Sequence, residues 1–253
     1  MKRLAIFVEG ETEQLFAAFL VREMANAAHL HVEFRAAKGG KSTRRRNRIV
    51  TAVADNPTMK WYVLIVDCSG DGGVKSRILE EFTHLAEHDY KFVIGLRDAP
   101  KNRADIPRLR EGLAINLPAA PPPVHFVLAV MEIEAWFLAE HTHLPKIHDK
   151  LTCAFIHTEL GFDPSADDMR NRDRPAQDLN AAYKLVGARY QKGRAAERTI
   201  YLLDCSRIVF EMVEGEPDIK RFVETISAFL EPENGGAEAG GQAPLGEQSE
   251  SGR

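Results

Sequence analysis

Four apolar runs, each closed by an acidic residue within a few positions, constrain this chain more than any other feature. Trp61-Tyr62-Val63-Leu64-Ile65-Val66 is the strongest, a continuous stretch with β-branched and aromatic residues that reads as a buried strand and stops at Asp67. Leu4-Ala5-Ile6-Phe7-Val8 stops at Glu9, and Phe92-Val93-Ile94-Gly95-Leu96 stops at Arg97-Asp98. Val124 to Val130 is followed by Met131-Glu132-Ile133-Glu134. Helical patterns separate these runs. Leu15, Phe16, Phe19, Leu20 and Met24 recur at three- and four-residue spacing behind Thr12, a candidate N-cap, and Ile78, Leu79, Phe82 and Leu85 follow the same rule. Alternating strands and helices imply right-handed crossovers and a mostly parallel sheet flanked by helices.

Other segments complete this α/β reading. Residues 30–36 alternate like a strand, and a helix is expected over about 43–54. Residues 117–123 are rich in Pro and Ala and read as a loop between units. The stretch 141–200 reads as helical and polar, and 205–229 shows apolar helical periodicity through Ile208, Phe210, Val213, Phe222, Val223, Ile226 and Phe229. The expected organisation is an α/β domain over 1–140, a mainly helical extension over 141–230 packed on it, and a tail over 231–253. That tail has six Gly and few large apolar residues, too little to offset its ordering entropy, and is expected to be disordered.

Charge and cysteine content narrow the function classes. The net charge of -4 is accounted for by the tail, which holds five Glu and one Arg, so the folded part is near neutral. Within it, Arg35, Lys38, Lys41, Arg44, Arg45, Arg46 and Arg48 form a basic stretch without an acid, either a solvated surface or a grip on nucleic-acid phosphates. No eighteen-residue apolar run is present, and Glu9 ends the first apolar run too early for a signal peptide, so no membrane association and a cytoplasmic location are expected. Cys68, Cys153 and Cys205 have no CxxC spacing and read as buried thiols.

Strand-end acids at Glu9, Asp67 and Asp98, with Glu13 and Asp71 close in sequence, would meet at one edge of a parallel sheet, where such folds bind ligands. Each acid taken singly is equally well explained by turn chemistry. Together they repel one another, and a hard cation such as Mg2+ or Mn2+ would neutralise them. Glu132 and Glu134, inside a regular helix, would point about 200° apart. They could both face the cluster only if Glu132 lay before the helix; otherwise they read as acids favoured by the helix dipole.

Several other motifs lead nowhere. Gly40-Lys41-Ser42 imitates a P-loop, but Arg35 stands where its first Gly belongs. His141, His143, His148 and His157 lack zinc spacing and read as surface or helix-terminal residues. Neither GxSxG nor, after Asp67, DxDxT is present.

Val8-Glu9-Gly10-Glu11-Thr12-Glu13 resembles the VEGxTE signature of TOPRIM-type domains, as in the overcoming-lysogenisation-defect nucleases and their small bacterial relatives. Gly95-Leu96-Arg97-Asp98 and the Met131 to Ala139 block resemble a small TOPRIM-like family linked to phage defence, and the likeness covers about residues 1–140. The resemblance implies a TOPRIM-like (Rossmann-like) fold with Mg2+ or Mn2+ held between Glu9 and an acidic DxD-like element. Asp67 takes the first position of that element, reached through strand, helix, strand, helix and strand. Ser69 stands at the second, with Asp71 two residues on. Glu9, Asp67 and Asp71 are the expected catalytic residues, and these three with Glu13, Asp98, Glu132 and Glu134 the expected metal ligands. Lys38, Lys41, Arg44, Arg45, Arg46 and Arg97 are the expected nucleic-acid contacts. The expected function is metal-dependent cleavage of DNA or RNA, with a separate ATPase partner and a homodimer among the implied assemblies. The alternative is a catalytically silent module binding nucleic acid or a partner protein, and a third is hydrolysis of a small phosphorylated molecule.

Overall fold

A computed structural model of the chain describes residues 1–26, 29–38, 46–51, 59–70, 73–99 and 102–232, with the backbone alone at 37, 38 and 46–51. Its strands are β1 (Lys2–Val8), β2 (Leu30–Lys38), β3 (Arg46–Thr51), β4 (Trp61–Asp67), β5 (Tyr90–Asp98) and β6 (Val124–Ala129). They form one sheet in the order β3-β2-β4-β1-β5-β6. Five strands run parallel, and β3 is an antiparallel edge strand on β2. β1 is flanked by β4 and β5, with Val8 in register with both Asp67 and Leu96, so the acid-bearing ends of three neighbouring strands share one edge.

Period-2 alternation sorts the strand residues between two cores. Leu4, Ile6, Val8, Val63, Ile65, Ile94, Leu96, Val127 and Ala129 face a large cluster built with Phe16, Phe19, Trp136, Phe137, Phe222 and Phe229. Ala5, Phe7, Leu64, Val66, Val93 and Leu128 face a smaller one with Val74, Ile78, Leu85 and Leu113. The first face is covered by helix α1 (Glu11–Met24), by α4 (Glu134–Ala139) and by the C-terminal helix Pro217–Leu230; the second by α2 (Gly73–Glu87) and α3 (Ile106–Ala114). Each large side chain fully buried here contributes about 1.5–3 kcal/mol. Residues from 141 onward, including Leu144, Ile156, Leu179, Tyr183 and Ile200, join the same cluster as β1 and α1.

Three local expectations are corrected. Residues 46–51, expected within a helix, form β3: Ile49, Val50 and Thr51 are β-branched, and the edge of β2 offers them a ladder. The route from β2 to β4 therefore includes a strand where a helix was expected. The helix expected over 205–229 is broken into short turns, a π-helical segment at Ile208–Met212 and the helix Pro217–Leu230, because Pro217 can only sit at a helix start. Phe210, expected on its buried face, is 74% exposed. Of the thiols, Cys68 is buried, whereas Cys153 and Cys205 are half-buried, and all three are free. The tail expected to be disordered lies, beyond Pro232, outside the described residues, as do Asp71, Lys41, Arg44 and Arg45. Among the described residues no helix is long and apolar enough to cross a membrane.

Candidate functional site

The turn after β1 builds one side of the site. Helix α1 begins at Glu11 with Gly10 as N-cap, so Thr12, expected as the cap, lies inside the first turn. Thr12, Glu13 and Gln14 are all buried, and Thr12 and Gln14 are bonded to other elements. Thr12 Oγ1 accepts from the Gly193 N–H at 2.7 Å, and Gln14 Nε2 donates to the carbonyls of Arg35 and Ile65 at 3.0 Å each, fixing α1 to the ends of β2 and β4. Glu9 Oε2 accepts from the Asp98 N–H at 3.0 Å, and Asp98 Oδ1 accepts from the Ile133 N–H at 3.2 Å. This chain of bonds runs from the end of β1 through β5 to the turn that opens α4.

That turn delivers the two remaining acids. Met131 has a positive φ of 73°, Glu132 lies ahead of α4, and Glu134 is its first residue. Both side chains therefore reach one ammonium: Lys192 Nζ lies 3.0 Å from Glu132 and 3.3 Å from Glu134. Glu132 Oε2 also accepts from the Ala176 N–H at 3.0 Å, in the first turn of the helix Pro175–Lys184. Glu134 is fully buried; one oxygen accepts from Tyr190 Oη at 2.6 Å and the other accepts no hydrogen bond.

Electrostatics identify which acids share the site. Burial, then Glu134 and Glu9, push Glu13 up to about 7, against its helix N–H contacts and Lys192. Asp98 is pushed up to about 9 by burial, then by Glu13, Glu9 and Glu134, with Lys192 opposing. Glu134 is likewise raised, chiefly by burial. For Lys192, burial alone would lower the ammonium, but Glu134, Glu132 and Asp98 more than offset it and the net shift is upward. Glu9, Glu13, Asp98, Glu132 and Glu134 thus lie near enough to influence one another, and Lys192 pairs with the last two.

Asp67 ends the neighbouring strand β4. Its Oδ1 accepts from the Ser69 N–H at 2.7 Å, and its carboxyl is raised by burial and then by Glu11, with the Ser69 N–H opposing. Ser69 and Gly70 have φ of 56° and 126°, and the Gly70 N–H donates to the Glu9 carbonyl at 2.8 Å, holding the β4 turn against β1. The second of these angles is one that glycine tolerates and other residues rarely adopt.

Of the expected nucleic-acid contacts, Arg97 is half-buried near the end of β5, and Lys38 is in register with Arg46 across β2 and β3 at the same edge of the sheet. Elsewhere, His143 is fully buried against Glu140 and His141 meets Arg207, so neither is a bare surface histidine. Sequence reasoning missed Lys192 and Tyr190. Lys192 falls in the stretch 141–200, which reads only as helical and polar, and no spacing relates it to Glu132, sixty positions away.

The donors are carboxylate oxygens, the hard ligands that suit Mg2+ or Mn2+, and the carboxyls of Glu13 and Asp98 are pushed upward first by burial and then by neighbouring acids. In donor type alone the cluster matches such an ion. Among the described residues, though, no three His, Cys, Asp or Glu side chains form a group that could hold a metal ion. No protein-family model, curated protein or solved structure matches this chain.

Proposed function

We propose that this chain is a TOPRIM-like, Mg2+- or Mn2+-dependent nuclease that cleaves phosphodiester bonds of DNA or RNA, in the setting of phage defence or nucleic-acid processing. The observation that supports it is the convergence of Glu9 and Asp98, both half-buried, with the buried Glu13 and Glu134 at the C-terminal edge of a parallel sheet, the carboxyls of Glu13, Asp98 and Glu134 being raised chiefly by burial. Glu9, Glu13, Asp98, Glu132 and Glu134 would hold the ion, with Asp67 at the end of the neighbouring strand β4. Such an ion supplies Lewis acidity toward a phosphate oxygen and lowers the pKa of a bound water. The chain's own residues fix the donors: the Asp98 N–H orients Glu9, the Ile133 N–H orients Asp98, and Tyr190 orients Glu134. The Lys192 side chain, 44% exposed, stands at the rim of the cluster as a cation for an incoming phosphate.

The test is cleavage of plasmid DNA and structured RNA with Mg2+, Mn2+ or EDTA. Glu9→Gln should abolish cleavage while the circular dichroism and melting of the protein stay those of the parent. A variant that cuts at the parental rate removes Glu9 from the site.

A silent binding module is the second reading, and one observation favours it. Ser69 stands in the acidic element, and Asp67 is coupled to Glu11 while the other acids are coupled to one another. Salt-sensitive nucleic-acid binding without cleavage under any divalent ion would establish this reading over the first.

A further inference from the structure

Residues 184–201 form a basic segment docked beside the acids. Between Lys184 and Arg198 the chain carries Lys184, Arg189, Lys192, Arg194 and Arg198 against Glu197 alone, in a protein whose net charge is -4. All five basic residues are exposed. The segment is held by its backbone and its buried side chains. Tyr190 Oη donates to Glu134 at 2.6 Å, the Tyr190 N–H to Asn180 Oδ1 at 3.2 Å, the Gly193 N–H to Thr12 Oγ1 at 2.7 Å and the Arg194 N–H to Glu11 Oε2 at 3.0 Å. Tyr183 Oη and Thr199 Oγ1 lie 3.1 Å apart, closing the segment on itself. Gly193 has φ of 72°, and a Cβ there would lie 3.2 Å from Glu11 Oε2, so this close docking depends on glycine. One aromatic ring completes the surface. Tyr201 follows the short helix Glu197–Ile200, its N–H donates to the Glu197 carbonyl at 3.0 Å, and it is 58% exposed. Arg198 lies three residues before it, a neighbour on a helical surface.

We propose that residues 184–201 are a grip for single-stranded nucleic acid, in which Lys184, Arg189, Arg194 and Arg198 hold phosphates and Tyr201 stacks on a base, so that the strand passes the acids. The inference rests on the nucleic-acid part of the reading given above and needs no bound cation. Surfaces that serve solubility alone intersperse the two signs of charge. Here Lys184, Arg189 and Arg198 form no ion pair among the described residues, and the one carboxylate of the segment, Glu197, meets Arg194 at 3.1 Å. Cations left over in this way bind a polyanion by releasing its counter-ions, whatever its sequence. The docking bonds fix the segment before any ligand arrives, so little ordering cost falls on binding. The ring decides between one strand and two: a duplex keeps its base faces in its own stack, whereas an unpaired base offers one to Tyr201.

The experiment measures binding of the full chain, in EDTA and over a range of salt, to a fluorescent oligothymidylate, to a duplex of the same length and to vesicles rich in phosphatidylserine. The proteins are the parent, the double variant Arg189→Gln with Arg198→Gln, and Tyr201→Ala; all three positions are exposed, and the docking bonds stay in place. The parent should bind the single strand more tightly than the duplex. The double variant should bind it more weakly, with a salt slope smaller by about 1.4, since each phosphate contact to a single strand contributes about 0.7. Tyr201→Ala should weaken single-strand binding about fivefold or more and leave the salt slope and duplex binding unchanged. Parental affinity and slope in the double variant, full single-strand affinity in Tyr201→Ala, or a preference of the parent for duplex overturns the grip, while the parent's binding of nucleic acid still upholds the reading beneath it. A parent that binds neither oligonucleotide overturns both, and binding to the vesicles alone assigns these cations to an anionic membrane surface instead.

Discussion

Gly95 lies in β5 opposite Phe126 of β6, and the ring of Phe126 covers it. A Cβ at this position would sit 2.6 and 2.7 Å from two atoms of that ring and 3.0 Å from Ile78 Cδ1. Gly95→Ala should therefore destabilise the protein by about 1–3 kcal/mol through overpacking, read as a lower denaturation midpoint with an unchanged slope. An alanine variant as stable as the parent would show that Phe126 can turn aside freely. At this scale the sequence was informative about type and silent about partner. Glu9 was legible as a strand-end acid, but that its carboxylate accepts the Asp98 N–H depends on β1 and β5 being neighbours.

Among the elements, the C-terminal helix has the greatest reach. It packs on the β1 face of the sheet through Phe222, Ile226 and Phe229, and its side chains bond the backbone of β6. Asp218 Oδ1 accepts from the Leu128 N–H at 3.0 Å, its other oxygen meets Arg110 of α3 at 2.5 Å, and Arg221 donates to the Phe126 carbonyl at 3.4 Å. The strand edge is thereby occupied by side chains and closed to another chain. Asp218→Ala leaves a buried N–H without an acceptor and should cost about 1–3 kcal/mol, measured by chemical denaturation. A loss below about 0.5 kcal/mol would mean that the pairing with Arg110, which is partly exposed, and the cap on β6 both contribute little. The apolar periodicity of this helix was readable from Phe222, Val223, Ile226 and Phe229; its start at Pro217, and the exposure of Phe210 before it, were decided by proline chemistry and by where the sheet ends.

For the whole molecule, the acids give stability a direction in pH. Asp98 is pushed up to about 9, and Glu13 and Glu216 to about 7, in each case first by burial. The folded state then holds protons that the unfolded chain has already released. This contribution is complete below the ordinary carboxylate range and is lost as pH rises through about 7 and then 9. His125 and His141 are lowered, chiefly by burial, and act in the opposite sense below neutral pH, so the informative window is the alkaline one. Melting temperature in EDTA should fall between pH 7 and 9, and Asp98→Asn should flatten that fall. A parental melting temperature that holds level or rises over this range would contradict the burial of these acids.

The sequence by itself determined the parallel α/β plan, because apolar runs and helical spacing are local properties that survive without knowledge of neighbours. It also determined which acids end which strands. Tertiary structure alone decided that Asp98 and Glu134 come near Glu9 and Glu13 and that Asp67 accepts from its own turn. It decided too that residues 46–51 extend the sheet and that Lys192 reaches across to Glu132. These outcomes rest on strand order and on a segment docking from far along the chain, and long-range geometry of that kind leaves no periodic trace in the residues that create it.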